Sequence, residues 1–295
     1  MRKFVLALLA ASIPATAHAW GPDGHRMLGE IAARNLPADL PAFLHTDDAV
    51  WQLGELSREP DRSRNSGNPH DADLNPAHFA DVGDDLTIGG IPLNALPPTR
   101  EDYAAALRAR GTDDYKMGYL PYAIAEGFQQ LVKDFAYWRA DAAGVKFAKS
   151  DKERDWLARD RTLRESLIIR DLGYWSHFVE DASQPMHASV HYDGWGDFPN
   201  PNGYPNQKGL HIQFEDAFVH DNVSEADIEA ALPAPQPVTG DILAWTGAYL
   251  ARTQAEVVPL YEMAKREPFN GHDPQEKAFA VERLAAGAAA LRDLV

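Results

Sequence analysis

Two histidine–carboxylate pairs constrain this chain more than any other feature. Asp181 follows His177 by four residues, and Glu215 follows His211 by four. On a helix, residues four apart project from one face, about 5–6 Å apart at Cβ. That spacing suits two ligands gripping one metal ion. His187 lies between the pairs, just past Pro185. A proline ends or kinks a helix, so His187 turns in from a different direction. One such pair alone is commonly a solvated surface pair; two pairs joined by a third histidine read as a metal site. The chain has no Cys. Imidazole and carboxylate together suit Zn²⁺ at a catalytic site better than a structural finger. The fold must therefore bring these distant segments together.

The first residues carry an address. Arg2 and Lys3 form a basic opening, Phe4 to Ile13 is apolar, and Ala17-His18-Ala19 offers small residues for cleavage. Residues 1–19 read as a secretory signal peptide, with an apolar run too short to span a bilayer. The expected location is the periplasm or outside the cell. Residues 20–295 are expected to form one catalytic domain of a size that supports its own core. Loss of Arg2 and Lys3 leaves 26 Lys and Arg against 44 Asp and Glu. Binders that work through phosphate contacts are normally basic, so global charge argues against a sequence-independent DNA clamp. A metal cluster inverts that sign locally. Zero Cys also removes disulfides as staples.

Cleavage after Ala19 frees the α-amino group of Trp20. A neutral amine and its own carbonyl oxygen chelate a metal in a five-membered ring, and His25 is close enough in sequence to join. His25 opens an amphipathic stretch with Met27, Leu28, Ile31, Ala32 and Leu36 at helical spacing. Short helices are expected over Pro37–Leu44 and Asp48–Leu56, a turn over Arg58–Arg62, and a loop over residues 63–76. That loop leads to His78-Phe79-Ala80-Asp81. A small hairpin is expected around Gly89-Gly90, and Thr99 reads as the cap of a helix through Arg110. Long helices are expected from Tyr119 to Ala143 and from Lys152 to Asp181. The second has Trp156, Leu163, Leu167, Ile168, Leu172, Trp175 and Phe178 as its buried face. Residues 192–209 are rich in Gly and Pro and carry Trp195, Phe198 and Tyr204. A loop this long is usually functional, and it should rim the site, its aromatics either stacking on bases or tying the loop down. Ser224 and Thr239 read as caps of helices over 225–231 and 240–266, with a last helix over 274–293. The fold class is all-α, one mostly helical domain with long loops around a metal cleft. His45, His70, His191, His220 and His272 read as surface or core residues, with His191 in the rim loop.

The set Trp20, His25, Asp61, His78, His177, Asp181, His187, His211 and Glu215 resembles the zinc-dependent nucleases of the S-one/P-one type, the mung bean nuclease family. It also resembles their relatives, the bacterial zinc phospholipases C. The likeness runs from Trp20 to Glu215, and its strongest part is His177-x3-Asp181-x2-Gln184-Pro185-Met186-His187. The resemblance implies three Zn²⁺. Asp61, His78, His177 and Asp181 would hold the first. His187, His211 and Glu215 would hold the second. The Trp20 amine and carbonyl, His25 and a bridging Asp181 would hold the third. Phe79 and Asp81 match nuclease residues that stack on and hydrogen-bond a base. Five residues from Trp20 to His25 and 24 from His187 to His211 are similar to the nucleases. Glu215, and the segment from Gly209 to Val219, are similar to the phospholipases. Glu59-Pro60 precedes Asp61 where the nucleases often have Trp-Ala, which leaves Glu55 and Glu59 as other carboxylates for the first position.

The expected activity is hydrolysis of single-stranded DNA or RNA to 5′-phosphorylated products, with 3′-nucleotidase activity implied by the resemblance. Asp61 would orient the attacking water or accept its proton. The alternative is a phospholipase C acting on phosphatidylcholine-like lipids. A third reading, a zinc-stapled helical scaffold without activity, is disfavoured because nine ligands for three ions leave room for water. The expected substrate is a single-stranded nucleic acid or nucleotide, with a phospholipid as the alternative; no stable protein partner is expected, and the chain is expected to be a monomer.

Overall fold

The computed structural model describes residues 20–64, 66–266 and 269–295. The expected signal peptide, residues 1–19, lies outside the described residues.

The helical spacing of Leu28, Ile31 and Ala32 becomes α1 (Gly21–Arg34), with those three side chains and His25 buried. A 3₁₀ turn (Ala42–His45) precedes α2 (Asp47–Leu56), which Thr46 caps by accepting the Ala49 N–H. Two short helices follow, α3 (Glu59–Arg62) and α4 (His70–Leu74), so Asp61 sits on a helix rather than in a simple turn, and the 63–76 segment is not all loop. Strands β1 (Thr87–Ile88) and β2 (Ile91–Pro92) pair antiparallel around Gly89-Gly90, as that dipeptide predicts. Thr99 caps α5 (Arg100–Arg108) through the Asp102 N–H, and α6 (Asp114–Met117) follows.

The frame is a pair of long helices, α7 (Leu120–Phe147) and α8 (Asp151–Asp181), joined by residues 148–150. They run antiparallel: the Trp175 indole donates to the Ile124 carbonyl, Gln130 to Asp171, and the Trp138 indole to Glu165. Gly127 permits the close approach, since a Cβ there would lie 2.0 Å from Trp175 Cδ1. The C-terminal half of α8 passes through the core, packed by α1, α2 and α14 (Pro274–Leu294). There every residue from Trp175 to Asp181 is buried.

The N-terminal half of α8 differs from expectation. Trp156 is 63% exposed and Leu163 55% exposed, so the apolar stripe does not continue as a buried face. On α8 before about Ile168 the stripe runs out into solvent, while the facing part of α7 still packs Trp138 against Phe43, 5.8 Å between ring centroids. The remaining elements are α9 (Leu210–Ile212), a π-helical stretch (Gln213–Phe218), α10 (Val219–Asn222), α11 (Glu225–Ala231), α12 (Ile242–Gln254) and α13 (Val257–Arg266). Ser224 caps α11 in a capping box. Thr239 does not cap α12. Asp241 does, accepting the Ala244 N–H, because its carboxylate lies closer to the first helical turn. The expected 240–266 helix is broken at Ala255-Glu256, giving α12 and α13. Among the described residues the architecture is all-α apart from the one small hairpin.

Candidate metal centre

Six stretches carry the chemistry to one place. His25 comes from the first turns of α1, Asp61 from α3, and His78 from a 3₁₀ turn (Asn75–His78). His177 and Asp181 come from the last turns of α8, and His187 from a 3₁₀ turn (Pro185–His187). His211 and Glu215 straddle the junction of α9 and the π-helical stretch, a widened turn of the kind often found at functional sites. All eight side chains are buried, none more than 8% exposed. They form three groups whose nitrogen and oxygen atoms could each hold a metal ion: His25 with Asp61 and His177, His78 with His177 and Asp181, and His187 with His211 and Glu215.

Asp181 sits at the centre. Its Oδ1 is 3.4 Å from His25 Nε2, while its Oδ2 is 3.2 Å from His78 Nδ1 and 3.4 Å from His177 Nε2. One carboxylate therefore faces His25 with one oxygen and both His78 and His177 with the other. Asp61 Oδ1 is 3.8 Å from His78 Nδ1 and 3.9 Å from His177 Nε2. Glu55 and Glu59 face elsewhere, toward Arg58 and Arg62. In the third group His211 Nε2 lies 2.6 Å, and His187 Nε2 3.6 Å, from Glu215 Oε2.

Outer partners fix which ring nitrogen faces inward. His177 donates Nδ1–H to the Ser57 carbonyl at 2.7 Å, and His187 donates Nδ1–H to the His78 carbonyl at 2.6 Å. His25 Nδ1 meets Glu180 Oε2 at 2.6 Å. Each arrangement leaves Nε2 as the inward lone pair, the form metal-binding histidines adopt. Gln184 donates to Glu215 Oε2 at 2.9 Å and orients it. The donor set fits a divalent zinc-type cation. His25 Nε2, Asp181 Oδ1, His187 Nε2 and Glu215 Oε1 are buried and make no hydrogen bond within the protein. Buried polar atoms are normally satisfied, so a cluster of such atoms aimed at one another calls for a cation.

The protonation pattern agrees. Burial holds the His177 imidazole well below its ordinary value, and burial likewise lowers His78. Burial alone would raise Asp181, but the charges of His177 and His187, with His25 and His78 close at its two oxygens, outweigh it, holding the carboxylate well below its usual range. Burial would also raise Glu215, and His211 and His187 hold it down instead. Burial opposes charge on His25, yet Asp181 and Glu180 push it up to about 10. A cation entering there has to displace that proton, as metal binding commonly does.

A cavity of about 390 Å³ opens beside the centre. His78, His187 and His211 lie on its wall with Arg64, Lys116, Phe79, Asp81, Tyr115 and Tyr192. Phe79 and Asp81, expected at the substrate, do line it. Gly118 sets their position: its φ is +73°, and a Cβ would lie 2.0 Å from the Phe79 carbonyl oxygen. Burial pushes the Asp81 carboxyl up to about 7. Arg64 lies 2.8 Å from Asp61 Oδ1 through its Nε.

The rim loop divides. Trp195 and Tyr204 are buried and tie the loop down: Trp195 stacks on His191 at 3.7 Å, and Tyr204 bonds Glu262. His191 is fully buried, donates Nδ1–H to the Trp195 carbonyl and does not line the cavity, so it is a core residue. Tyr192, half exposed, is the rim aromatic that reaches the cavity. Sequence reasoning missed Tyr192, Arg64, Tyr115 and Lys116, and also Ser57 and Glu180. Glu180 carried a signal, being a second acid beside Asp181 in an otherwise apolar turn. Trp20 caps α1, its indole buried and donating to the Glu180 carbonyl and to Ser183 Oγ, which pins it to the end of α8.

No family model matches the chain. A curated protein from Bradyrhizobium tropiciagri, described as a "probable serine protease", is 23% identical over 235 residues, covering 68% of this chain and 26% of its own length. The chain thus spans about a quarter of that relative. Among solved structures, the alpha toxin from Clostridium absonum aligns with 92% of this chain and 65% of its own, at 13% identity and a TM-score of 0.46. Likenesses this distant assign neither a family nor an activity.

Proposed function

We propose that this protein is a zinc-dependent phosphodiesterase that hydrolyses single-stranded DNA or RNA to 5′-phosphorylated products, with 3′-nucleotidase activity. One observation carries the reading: a centre of five histidines and three carboxylates opens onto a cavity lined by cationic and aromatic side chains. Bound by His25, Asp61, His78, His177, Asp181, His187, His211 and Glu215, with the Trp20 amine and carbonyl completing the set after cleavage, three zinc ions supply Lewis-acid charge and acidify a water toward neutral pH. Arg64 and Lys116 draw the phosphate to that wall. Phe79, Tyr115 and Tyr192 offer faces on which an unpaired base stacks, which duplex DNA does not present. Asp81, close to half protonated at neutral pH, accepts or donates a hydrogen bond at a base edge. Asp61 Oδ1 orients the water or takes its proton. Export guided by residues 1–19 places the enzyme, as a monomer, in the periplasm or outside the cell.

Glu215 and the segment around it favour a second reading, a phospholipase C on phosphatidylcholine-like lipids. The same aromatics with Asp81 would then receive a quaternary ammonium group. Purified protein assayed side by side on single-stranded DNA and on lecithin vesicles, with and without a chelator, tests both. Chelator-sensitive cleavage of the DNA supports the nuclease. Cleavage of lecithin alone supports the second reading, and inactivity on both overturns phosphodiester hydrolysis.

A further inference from the structure

Glu180 is fully buried on the last turn of α8, and sequence logic gives it no reason to be there. A buried carboxylate is costly unless it has a partner. Its partner is His25: Oε2 lies 2.6 Å from Nδ1. On the opposite side of that ring, Nε2 lies 3.4 Å from Asp181 Oδ1. The ring also stacks on His177, 3.9 Å between centroids and 23° between planes. His25 is thus gripped by two consecutive carboxylates of α8, one at each nitrogen. His177 and His187 present Nδ1 to neutral backbone carbonyls. His25 alone of these three presents it to an ionisable side chain.

We infer that Glu180 is a positioning residue: it accepts the Nδ1 hydrogen of His25, so that Nε2 faces Asp181 as the electron-pair donor for a cation the two would share. This rests on the proposal above that the centre binds metal. A carboxylate acceptor also makes the imidazole a better donor, and losing such an outer partner commonly weakens metal binding 10–100-fold. The α1 helix is held in place from the same residue, because the Trp20 indole donates to the Glu180 carbonyl.

The test uses the whole processed chain and its Glu180→Leu, Glu180→Gln and His25→Ala variants. Zinc is titrated at buffered free concentrations, and bound equivalents are counted by native mass spectrometry. In parallel, the hydrogen bond made by His25 Nδ1–H is read from its downfield imidazole ¹H shift in zinc-free protein. The expected result is that E180L loses one equivalent at free zinc where the unmodified protein keeps it, and recovers it at 10–100-fold higher zinc. Its Nδ1–H signal should also leave the downfield position. E180Q, whose side-chain oxygen still accepts the hydrogen, should keep the signal and lose less affinity. The isosteric change also guards against misfolding. An E180L protein with unchanged affinity and Nδ1–H signal would overturn the inference. So would an E180Q protein as deficient as H25A, which would make Glu180 a ligand itself. If the unmodified protein takes up no zinc, the metal reading fails, while the Nδ1–H signal still decides whether Glu180 holds the ring.

Discussion

Asp81 offers a quantitative test of the cavity. Burial alone lifts its carboxyl from an ordinary 3.8 to about 7. The native state therefore holds a proton that the unfolded chain has released between those values. Stability is then highest below the unfolded value and falls as pH rises toward 7, where the buried carboxylate must ionise. The gap corresponds to about 4 kcal/mol at most, at 1.36 kcal/mol per pH unit. Asp81 is only partly shielded from water, which reduces this to about 2 kcal/mol. Asp81→Asn carries no charge at any pH. Its amide sacrifices some packing or hydrogen bonding, but by an amount independent of pH. Unfolding by urea, followed by fluorescence at pH 4.5, 6 and 8, should show the variant gaining about 2 kcal/mol on the parent between the first and last pH. Over the same range KM for a single-stranded substrate should change less with pH in the variant than in the parent, because the ionisable group at the cavity wall is gone. A constant stability difference across the series would refute the burial argument and with it the role given to Asp81.

Other outcomes follow from named contacts. Asp181→Asn should abolish hydrolysis and leave at most one tightly bound metal, because the amide keeps a single neutral oxygen and its NH₂ cannot ligate; elemental analysis after dialysis checks this. A processed chain with extra residues before Trp20 should lose one equivalent, read by the same analysis, since its amine is then an amide. Gly127→Ala should destabilise by about 2–3 kcal/mol, since its Cβ would collide with the Trp175 ring, measured by thermal unfolding. Trp156→Ser should change stability by less than about 0.5 kcal/mol, because the ring is 63% exposed.

Much of the centre was legible because its spacing is local. His177 and Asp181, like His211 and Glu215, lie one turn apart, and a helical turn alone makes such residues neighbours. The convergence of His25, Asp61 and His78 on Asp181 is a tertiary event. It became readable only through the resemblance of the whole set. The outer layer was not legible. Ser57 and His78 act through backbone carbonyls, and any residue type has one. Tyr115 and Lys116 reach the cavity because α6 docks beside Phe79, which no periodicity encodes. The stripe on α8 misled for a related reason: Trp156 and Leu163 keep the period of a buried face after the neighbours that would bury it have ended. The division of α12 from α13 did have a signal that was overlooked: Pro259 has no N–H for the Ala255 carbonyl and its ring crowds that group, so a continuous helix breaks there.

The turn at residues 148–150 joins the outer ends of the two long helices. Thirty residues of α8 separate it from Asp181, about 45 Å at 1.5 Å per residue. A reporter, an affinity handle or a whole guest protein spliced there would ride on a stiff mast, clear of the candidate metal centre. The molecule thus comes with a natural port for immobilisation.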